Sequence, residues 1–502
     1  MGATTLSKSK YVAGLQCTRR LWLACHAPEL ASQPPPAMQA QFDMGAEIGR
    51  RARERFANGT LVSEEAWEHG RAVERTRQLM ADDSVGAIFE AAFEHAGIRV
   101  RVDVLERGSG GGWNLCEVKS GTGVKPVYLH DVAVQRFVVA GAGVPIHSVE
   151  IMHIDSAYVR GERGIDWARF FARANVTAET APLAESIPAQ AVALQVMLSQ
   201  AAAPAIEPSR HCFAPYACEF WGHCTAAKPP DWIFSLPRIS AKQLASLGAL
   251  AIERIIDIPD DFPLRSVQAR ARSAWRTGAL HVEPALGANL SLMGPPTDYL
   301  DFETAFPAIP LYPGTRPYEQ VPFQWSLHRL AASGRMVHRE FLADGRGDPR
   351  PEFAQSLIDA LREPNGPILV WSSFEDQIVA ALAQTLPSHA DDLRAVQGRL
   401  ADLLPVARDH VYHPGFGGRF SIKAVAPTLA PGLRYDDLDG VADGGGAADV
   451  LMRLATGAID SPDEVLRHRR ALLVYCKRDT LAMVEVHRAL RMCVTGQAGG
   501  SR

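Results

Sequence analysis

Residues 98–119 read I-R-V-R-V-D-V-L-E-R-G-S-G-G-G-W-N-L-C-E-V-K. The first part alternates apolar and polar side chains, and residues 113–119 alternate again, which is typical of half-buried strands. The glycine-rich run at 108–112 is typical of a turn. The stretch therefore predicts a β-hairpin.

Three charged residues of this hairpin, Asp103, Glu117 and Lys119, share one face of the predicted sheet. Two carboxylates that meet at one point repel each other and favour binding of a divalent cation. A neighbouring lysine can orient water or stabilise an anionic transition state. The alternative is a surface hairpin with ordinary charged residues.

The pattern D-x13-E-x-K resembles the catalytic core of the PD-(D/E)XK nucleases, and the following D-V-A-V-Q-R-F resembles their RecB-like branch. The resemblance implies that Asp103 and Glu117 bind metal and that Lys119 and Gln135 are catalytic residues. In RecB-like enzymes a preceding helix often carries a histidine ligand in G-x-x-x-H. Here Gly49 stands at that position, which puts the activity of this site in question. Glu90 is a candidate replacement carboxylate or an ordinary solvated charge.

The composition is that of a globular protein of 502 residues with a formal net charge of -4. This length predicts two or three domains. No apolar run reaches the length of a membrane span, and the first residues lack the apolar core of a signal peptide. We therefore expect a cytoplasmic protein without membrane association, whose eight cysteines are thiols or metal ligands rather than disulfides.

Three cysteines lie close together in H-C-F-A-P-Y-A-C-E-F-W-G-H-C, at Cys212, Cys218 and Cys224. Sulfur ligands suit an iron–sulfur cluster or zinc. The segment around Cys17, S-K-S-K-Y-V-A-G-L-Q-C-T-R-R-L-W, resembles the opening of iron–sulfur RecB-like nucleases. This resemblance implies that Cys17 is the fourth ligand of a [4Fe–4S] cluster. Zinc and free buried thiols remain alternatives.

A second carboxylate pattern begins at D-Y-L-D-F-E-T, residues 298–304, where Asp301 and Glu303 project from the same face of a predicted strand. In L-V-Y-C-K-R-D-T-L, Tyr475 and Asp479 are four residues apart and share a helix face. Between these patterns, I-L-V-W-S-S-F-E-D offers Glu375 as a middle acid. Asp376 and Asp402 are the alternatives.

These patterns together resemble the DnaQ-like (DEDD) 3′–5′ exonucleases of the tyrosine subtype, which have an RNase H-like fold. The resemblance implies two Mg²⁺ or Mn²⁺ ions between four carboxylates. It also implies that Tyr475 positions the attacking water. The implied metal ligands are Asp301, Glu303, Glu375 and Asp479.

Residues 229–295 separate the two halves. Residues 239–259 resemble a helix-hairpin-helix, which can offer backbone amides to phosphate. Arginines 265, 270, 272 and 276 follow, either as a basic surface or as a solvated helix face.

We therefore predict an α/β protein with three parts: a RecB-like nuclease domain with an iron–sulfur cluster (1–228), a helical connector (229–295) and an RNase H-like exonuclease domain (296–495). The chain as a whole resembles a bacterial family of unknown function that pairs these two halves. The expected activity is metal-dependent hydrolysis of phosphodiester bonds in DNA, single-stranded or at 3′ ends, in repair or defence. Candidate partners are a helicase or another repair protein. The alternatives are an RNA-processing exonuclease and a nucleic-acid-binding platform whose first site is inactive.

Overall fold

The structure is a computed structural model that describes residues 5–34, 36–108, 110–363, 366–433, 435 and 444–496. The chain forms two compact units, one of residues 1–227 with 308–319 and one of residues 228–307 with 320–502. Both units combine helices with a β-sheet, so the predicted mixed α/β class is confirmed. None of the described helices is both long and apolar enough to cross a membrane.

The first unit is built on a seven-stranded sheet in the order β2-β3-β4-β5-β6-β7, with the short β1 paired beside β4. The predicted hairpin is β4 and β5, which pair in antiparallel fashion with Val104 opposite Cys116. Val100, Val102 and Val104 are buried, as the alternation predicts. The strands are β1 Leu6–Ser7, β2 Gly59–Leu61, β3 Ala87–His95, β4 Ile98–Arg107, β5 Trp113–Lys119, β6 Ile146–Ile154 and β7 Phe171–Asn175.

Helices cover this sheet, and α5 is the crossover that the parallel pair β5–β6 requires. The alanine content of residues 165–205 predicts helix, but this stretch contains the strand β7 as well as α7. β7 pairs with β6 at the edge of the sheet, where sheet hydrogen bonds override composition. The helices are α1 Lys8–Gln16, α2 Thr18–His26, α3 Pro36–Arg53, α4 His69–Ala81, α5 Pro126–Gly141, α6 Trp167–Phe170, α7 Thr177–Leu198 and α8 Trp221–Thr225.

The second unit contains a five-stranded sheet in the order β11-β10-β9-β12-β13. β9, β10 and β11 pair in antiparallel fashion, whereas β12 and β13 run parallel to β9. A separate short pair joins β8 to β14. The strands are β8 His281–Val282, β9 Thr297–Ala305, β10 Val321–Leu330, β11 Met336–Leu342, β12 Ile368–Val370, β13 Leu400–Asp402 and β14 Val411–Tyr412.

Alternation along β9 divides its side chains between two layers. Leu300 and Phe302 pack with α12, α13 and α14 in one hydrophobic cluster, while Tyr299 packs with α18 in another. Asp301 and Glu303 therefore lie on the α18 side of the sheet. The helices of this unit are α9 Ala241–Ala249, α10 Ser266–Thr277, α11 Leu286–Leu290, α12 Arg350–Leu361, α13 Phe374–Thr385, α14 Ala390–Gln397, α15 Leu403–His410, α16 Ile422–Leu429, α17 Gly444–Ala455 and α18 Pro462–Val494.

The connector belongs to the second unit, because Leu247, Ile255 and Ala271 share a hydrophobic cluster with Met483 and Val486 of α18. Its predicted helix-hairpin-helix is only half formed: α9 is a helix, but the second element is a three-residue 3-10 turn at Ile255–Asp257.

The arginines that follow bond within their own unit. Arg270 is buried and donates to the Arg408 carbonyl, and Arg276 bonds Asp260 and backbone carbonyls. These two guanidinium groups are therefore used in the fold of the connector.

Candidate functional site: two carboxylate clusters

The first cluster lies on three adjacent strands. The pairs Phe89–Val104 and Ala91–Val102 flank Glu90 of β3 and Asp103 of β4. Since Val104 pairs with Cys116, the next position on β5 places Glu117 beside Asp103. The hairpin register thus aligns three carboxylates across the sheet.

Glu117 is almost fully buried and accepts hydrogen bonds on both carboxylate oxygens. The ammonium groups of Lys8 and Lys119 lie 2.7 and 2.8 Å from its Oε1. The Gln135 amide donates to its Oε2 over 2.7 Å. Burial raises the pKa of Glu117, but the Lys8 and Lys119 charges outweigh burial and lower it to about 2.

Asp103 has a different environment. Its carboxylate accepts a hydrogen bond of 2.8 Å from the Val118 backbone amide. Burial first, and then the charge of Glu117, raise the pKa of Asp103 to about 7. Glu90 adds to this repulsion and pairs with Arg53 of α3 at 2.9 Å. Glu90 has a φ of 56°, which is uncommon for a residue other than glycine.

The structure brings together the predicted residues Asp103, Glu117, Lys119 and Gln135, and it adds two that sequence reasoning missed. Lys8 comes from the start of α1, and Asp131 of α5 pairs with Lys119. No spacing rule connects Lys8 with a residue 109 positions later. Asp131 precedes Gln135 by one helical turn, so its position in α5 was a usable signal.

Gly49 lies in α3, and a Cβ atom added there would meet no heavy atom within 4 Å. The absence of a side chain at this position is therefore not required by close packing.

The second cluster is assembled from β9, α13 and α18. Burial, and then the charges of Asp479, Glu303 and Glu375, raise the pKa of Asp301 well above its ordinary value. These four are the acids that the sequence singled out. A ligand atom of Asp301, one of Glu303 and the Cys476 sulfur all lie within 4.8 Å of one another.

Two oxygens of this cluster, Oε2 of Glu375 and Oδ1 of Asp479, are buried and have no hydrogen-bond partner among the described residues. Burial is the main cause that raises the pKa of Glu375 to about 8. Burial also raises the pKa of Asp479, against the charge of Lys423 and a hydrogen bond from Tyr475. Buried carboxylate oxygens without hydrogen-bond partners are costly, so this arrangement fits a bound cation.

The three candidates for the middle acid occupy different positions. Glu375 is buried near the start of α13, and its charge raises the pKa of Asp301. Asp376 accepts a hydrogen bond from Gln397 at 3.0 Å. Asp402 caps α15 by accepting from the Leu404 amide at 2.9 Å. The structure thus places only Glu375 of the three among the groups that act on Asp301.

Tyr475 is buried on α18, one helical turn before Asp479. Lys423 of α16 donates a hydrogen bond of 2.6 Å to its hydroxyl. Burial and the surrounding carboxylates raise the pKa of Tyr475, so the hydroxyl is protonated and can donate. Lys423 lies in F-S-I-K-A-V, a segment in which no functional residue was predicted.

Gln324 and His328 of β10 are buried, and both contact α18. The Gln324 amide donates to the Leu472 carbonyl at 2.8 Å, and His328 Nδ1 lies 2.8 Å from the Thr480 hydroxyl. These contacts hold α18 against the sheet.

The predicted cysteine ligands meet in the first unit. One small cavity is lined by Cys17, Cys212, Cys218 and Cys224. Burial raises the pKa of the Cys218 thiol to about 11 and also raises the pKa of Cys212 and Cys224. The structure thus places the four predicted sulfur ligands around one cavity, which Arg19 and Arg20 also line.

A comparison with curated proteins found no match to the chain. A comparison with protein-family models found one match, which begins just before the Asp301–Glu303 pair and includes Glu375 and Asp402. Tyr475 and Asp479 lie outside it. Residues 298–421 of this chain are thus similar to the family described as Domain of unknown function (DUF2779).

Proposed function

We propose that the second unit is a metal-dependent exonuclease that hydrolyses phosphodiester bonds from the 3′ end of DNA. The observation that carries the proposal is the cluster of Asp301, Glu303, Glu375 and Asp479, whose carboxylates lie together in a buried place. Two of their oxygens lack a hydrogen-bond partner. The strand order and directions of the five-stranded sheet are consistent with the expected RNase H-like arrangement.

Mg²⁺ or Mn²⁺ bound by these four acids would stabilise the attacking and leaving oxygens of the phosphodiester. The protein supplies the rest of the site. Asp301 and Glu303 project from a rigid strand, and Asp479 is fixed by the packing of α18. The protonated Tyr475 hydroxyl is a donor that can orient the attacking water.

The first unit is proposed to bind the same nucleic acid through its RecB-like site, either gripping or cutting it. Lys8, Lys119 and Gln135 already donate hydrogen bonds to both carboxylate oxygens of Glu117. This favours binding of the nucleic acid over cleavage at the first site. The four cysteines are proposed to hold a [4Fe–4S] cluster, with zinc as the alternative, that joins the two ends of this unit. A link between Cys17 and residues 212–224 closes a long loop, where a covalent constraint has its largest entropic effect in principle.

The test is digestion of single-stranded DNA labelled at the 5′ or the 3′ end, with Mg²⁺ or Mn²⁺, by protein purified without oxygen. The Asp301→Ala variant removes a central ligand of the second site, and Glu117→Ala removes one of the first. Asp376→Asn is a matched control, because Asp376 contacts Gln397 and is not among the acids acting on Asp301.

We expect stepwise shortening from the 3′ end that is lost in Asp301→Ala and kept in Asp376→Asn and Glu117→Ala. Undiminished digestion by Asp301→Ala would refute the assignment. Cleavage lost only in Glu117→Ala would move the activity to the first unit. Parallel digestion of RNA of the same sequence decides between the DNA and RNA alternatives, because the 2′-hydroxyl distinguishes the two substrates.

A further inference from the structure

Lys8 is the first residue of α1, and its ammonium group lies 2.7 Å from Oε1 of Glu117. The Lys8 side chain is 20 % exposed and the Glu117 side chain 2 %, so water screens the contact only weakly. Lys8 therefore places an ammonium group inside the first carboxylate cluster.

This charge occupies the place where a divalent cation would bind Glu117. Oε1 already has two ammonium groups within hydrogen-bonding distance, and Oε2 accepts from Gln135. Lys119 also forms an ion pair with Asp131, so its positive charge is divided between two carboxylates. A cation on Glu117 would meet the Lys8 charge at close range, where repulsion between like charges is strong.

The cluster nevertheless has further oxygen ligands for a cation. Oε1 of Gln135 is fully buried, and none of the described residues forms a hydrogen bond with it. The Asp103 carboxylate lies beside Glu117 and is destabilised by its charge. Hard divalent cations prefer carboxylate and amide oxygens of this kind.

We infer that Lys8 is the resident cation of the first site, which a divalent ion must displace from Glu117 before it can bind there. Lys8 thereby sets the divalent-ion concentration at which the first site is loaded. The second site differs, since among the described residues one oxygen of Glu375 and one of Asp479 have no hydrogen-bond partner. The two sites are expected to load with metal at different concentrations.

The position of α1 links Lys8 to the cysteine segment. Gln16, at the other end of α1, donates to the backbone carbonyls of His211 and Tyr216 at 2.7 and 2.8 Å. Ser7 caps the start of the helix by accepting from the Lys10 amide. Just before the helix, Leu6 and Ser7 of β1 pair with β4, so the helix that carries Lys8 is held at both ends.

The experiment measures Mn²⁺ binding by titration calorimetry at neutral pH in the full chain. An Asp301→Ala, Asp479→Ala background removes the ions of the second site. Lys8→Met removes the charge at similar length, and Lys8→Arg keeps the charge. Lys10→Met is the matched control, because Lys10 lies on the same helix and is not among the residues that donate to Glu117.

Lys8→Met is expected to raise the Mn²⁺ affinity of the first site by about tenfold or more, through the loss of a like charge. Lys8→Arg and Lys10→Met should bind as weakly as the parent, and adding Glu117→Gln to Lys8→Met should abolish the gain. Equal or weaker Mn²⁺ binding by a folded Lys8→Met chain would overturn the inference. Circular dichroism and thermal unfolding establish folding, and Lys8→Gln replaces Lys8→Met if the latter does not fold.

Discussion

The Lys423 ammonium lies 2.6 Å from the Tyr475 hydroxyl and 4.4 Å from the centre of the same ring. One side chain thus fixes both the position of the tyrosine and the direction of its hydroxyl proton. Because Lys423 donates to the oxygen, the Tyr475 hydroxyl acts as a donor, and Asp479 accepts its hydrogen bond. The Lys423 charge also opposes the rise in the pKa of Asp479.

Lys423→Met should lower kcat of the proposed exonuclease by about 10- to 100-fold with little change in KM, because a positioning contact to the water-orienting hydroxyl is lost. Lys423→Arg should recover part of the rate. Steady-state kinetics on a 3′-labelled strand measure this. The effects of Lys423→Met and Tyr475→Phe should not be additive, since both act through one hydroxyl. Additive losses would show that Lys423 acts elsewhere.

Glu375→Gln should reduce exonuclease activity by about 100-fold or more, because it replaces a metal-binding carboxylate by a neutral amide of the same size. Asp376 is the next residue along the chain, and the Asp376→Asn variant should retain nearly the parental rate. A large loss in Asp376→Asn with a small one in Glu375→Gln would assign the middle acid to Asp376 instead. The same digestion assay with Mn²⁺ measures both.

The metal-free protein should become less stable as the pH rises from about 5 to about 8. Burial raises the pKa of Glu375 from an ordinary 4.5 to about 8, so the folded chain keeps a proton that the unfolded chain has released in this window. The free energy of unfolding therefore falls with rising pH. The expected change from Glu375 across this window is about 3–4 kcal/mol, since one pKa unit corresponds to about 1.4 kcal/mol.

Urea unfolding in the presence of a chelator measures how the free energy of unfolding changes with pH. The Glu375→Gln variant should show a smaller change. Excess Mg²⁺ or Mn²⁺ should restore stability at the alkaline end, because a ligand that binds only the folded state stabilises it. A slope of opposite sign in the parent chain would contradict the assignment of Glu375 as a buried, cation-deficient carboxylate.

Cys212→Ser should remove most of the bound metal and lower the melting temperature of the first unit, because one of four sulfur ligands and the closure of a long loop are lost. Cys25→Ser is the control, since Cys25 is a free cysteine that does not line the cavity of the other four. Iron, sulfide and zinc analysis of anaerobically purified protein measures the outcome. Equal metal content in both variants would exclude Cys212 as a ligand.

Local sequence patterns were sufficient to predict many of the residues in the two carboxylate clusters. Period-two alternation predicted the β4–β5 hairpin and the common face of Asp301 and Glu303, and both are confirmed. Helical spacing placed Tyr475 and Asp479 one turn apart on α18. The helix predicted from alanine content was wrong at β7, because pairing with β6 at the edge of the sheet determines the structure there.

The sequence by itself determined which side chains share a strand face or a helix face, because these relations depend only on the two backbone periods. It could not determine partners that approach from distant elements. Lys8 reaches Glu117, and Lys423 reaches Tyr475, because packing brings α1 to the first sheet and α16 to α18. Only the tertiary structure therefore decided that two lysines pair with Glu117 in the first cluster, while two oxygens of the second have no hydrogen-bond partner in the described part of the chain. Charge balance in a buried site depends on every neighbour in space.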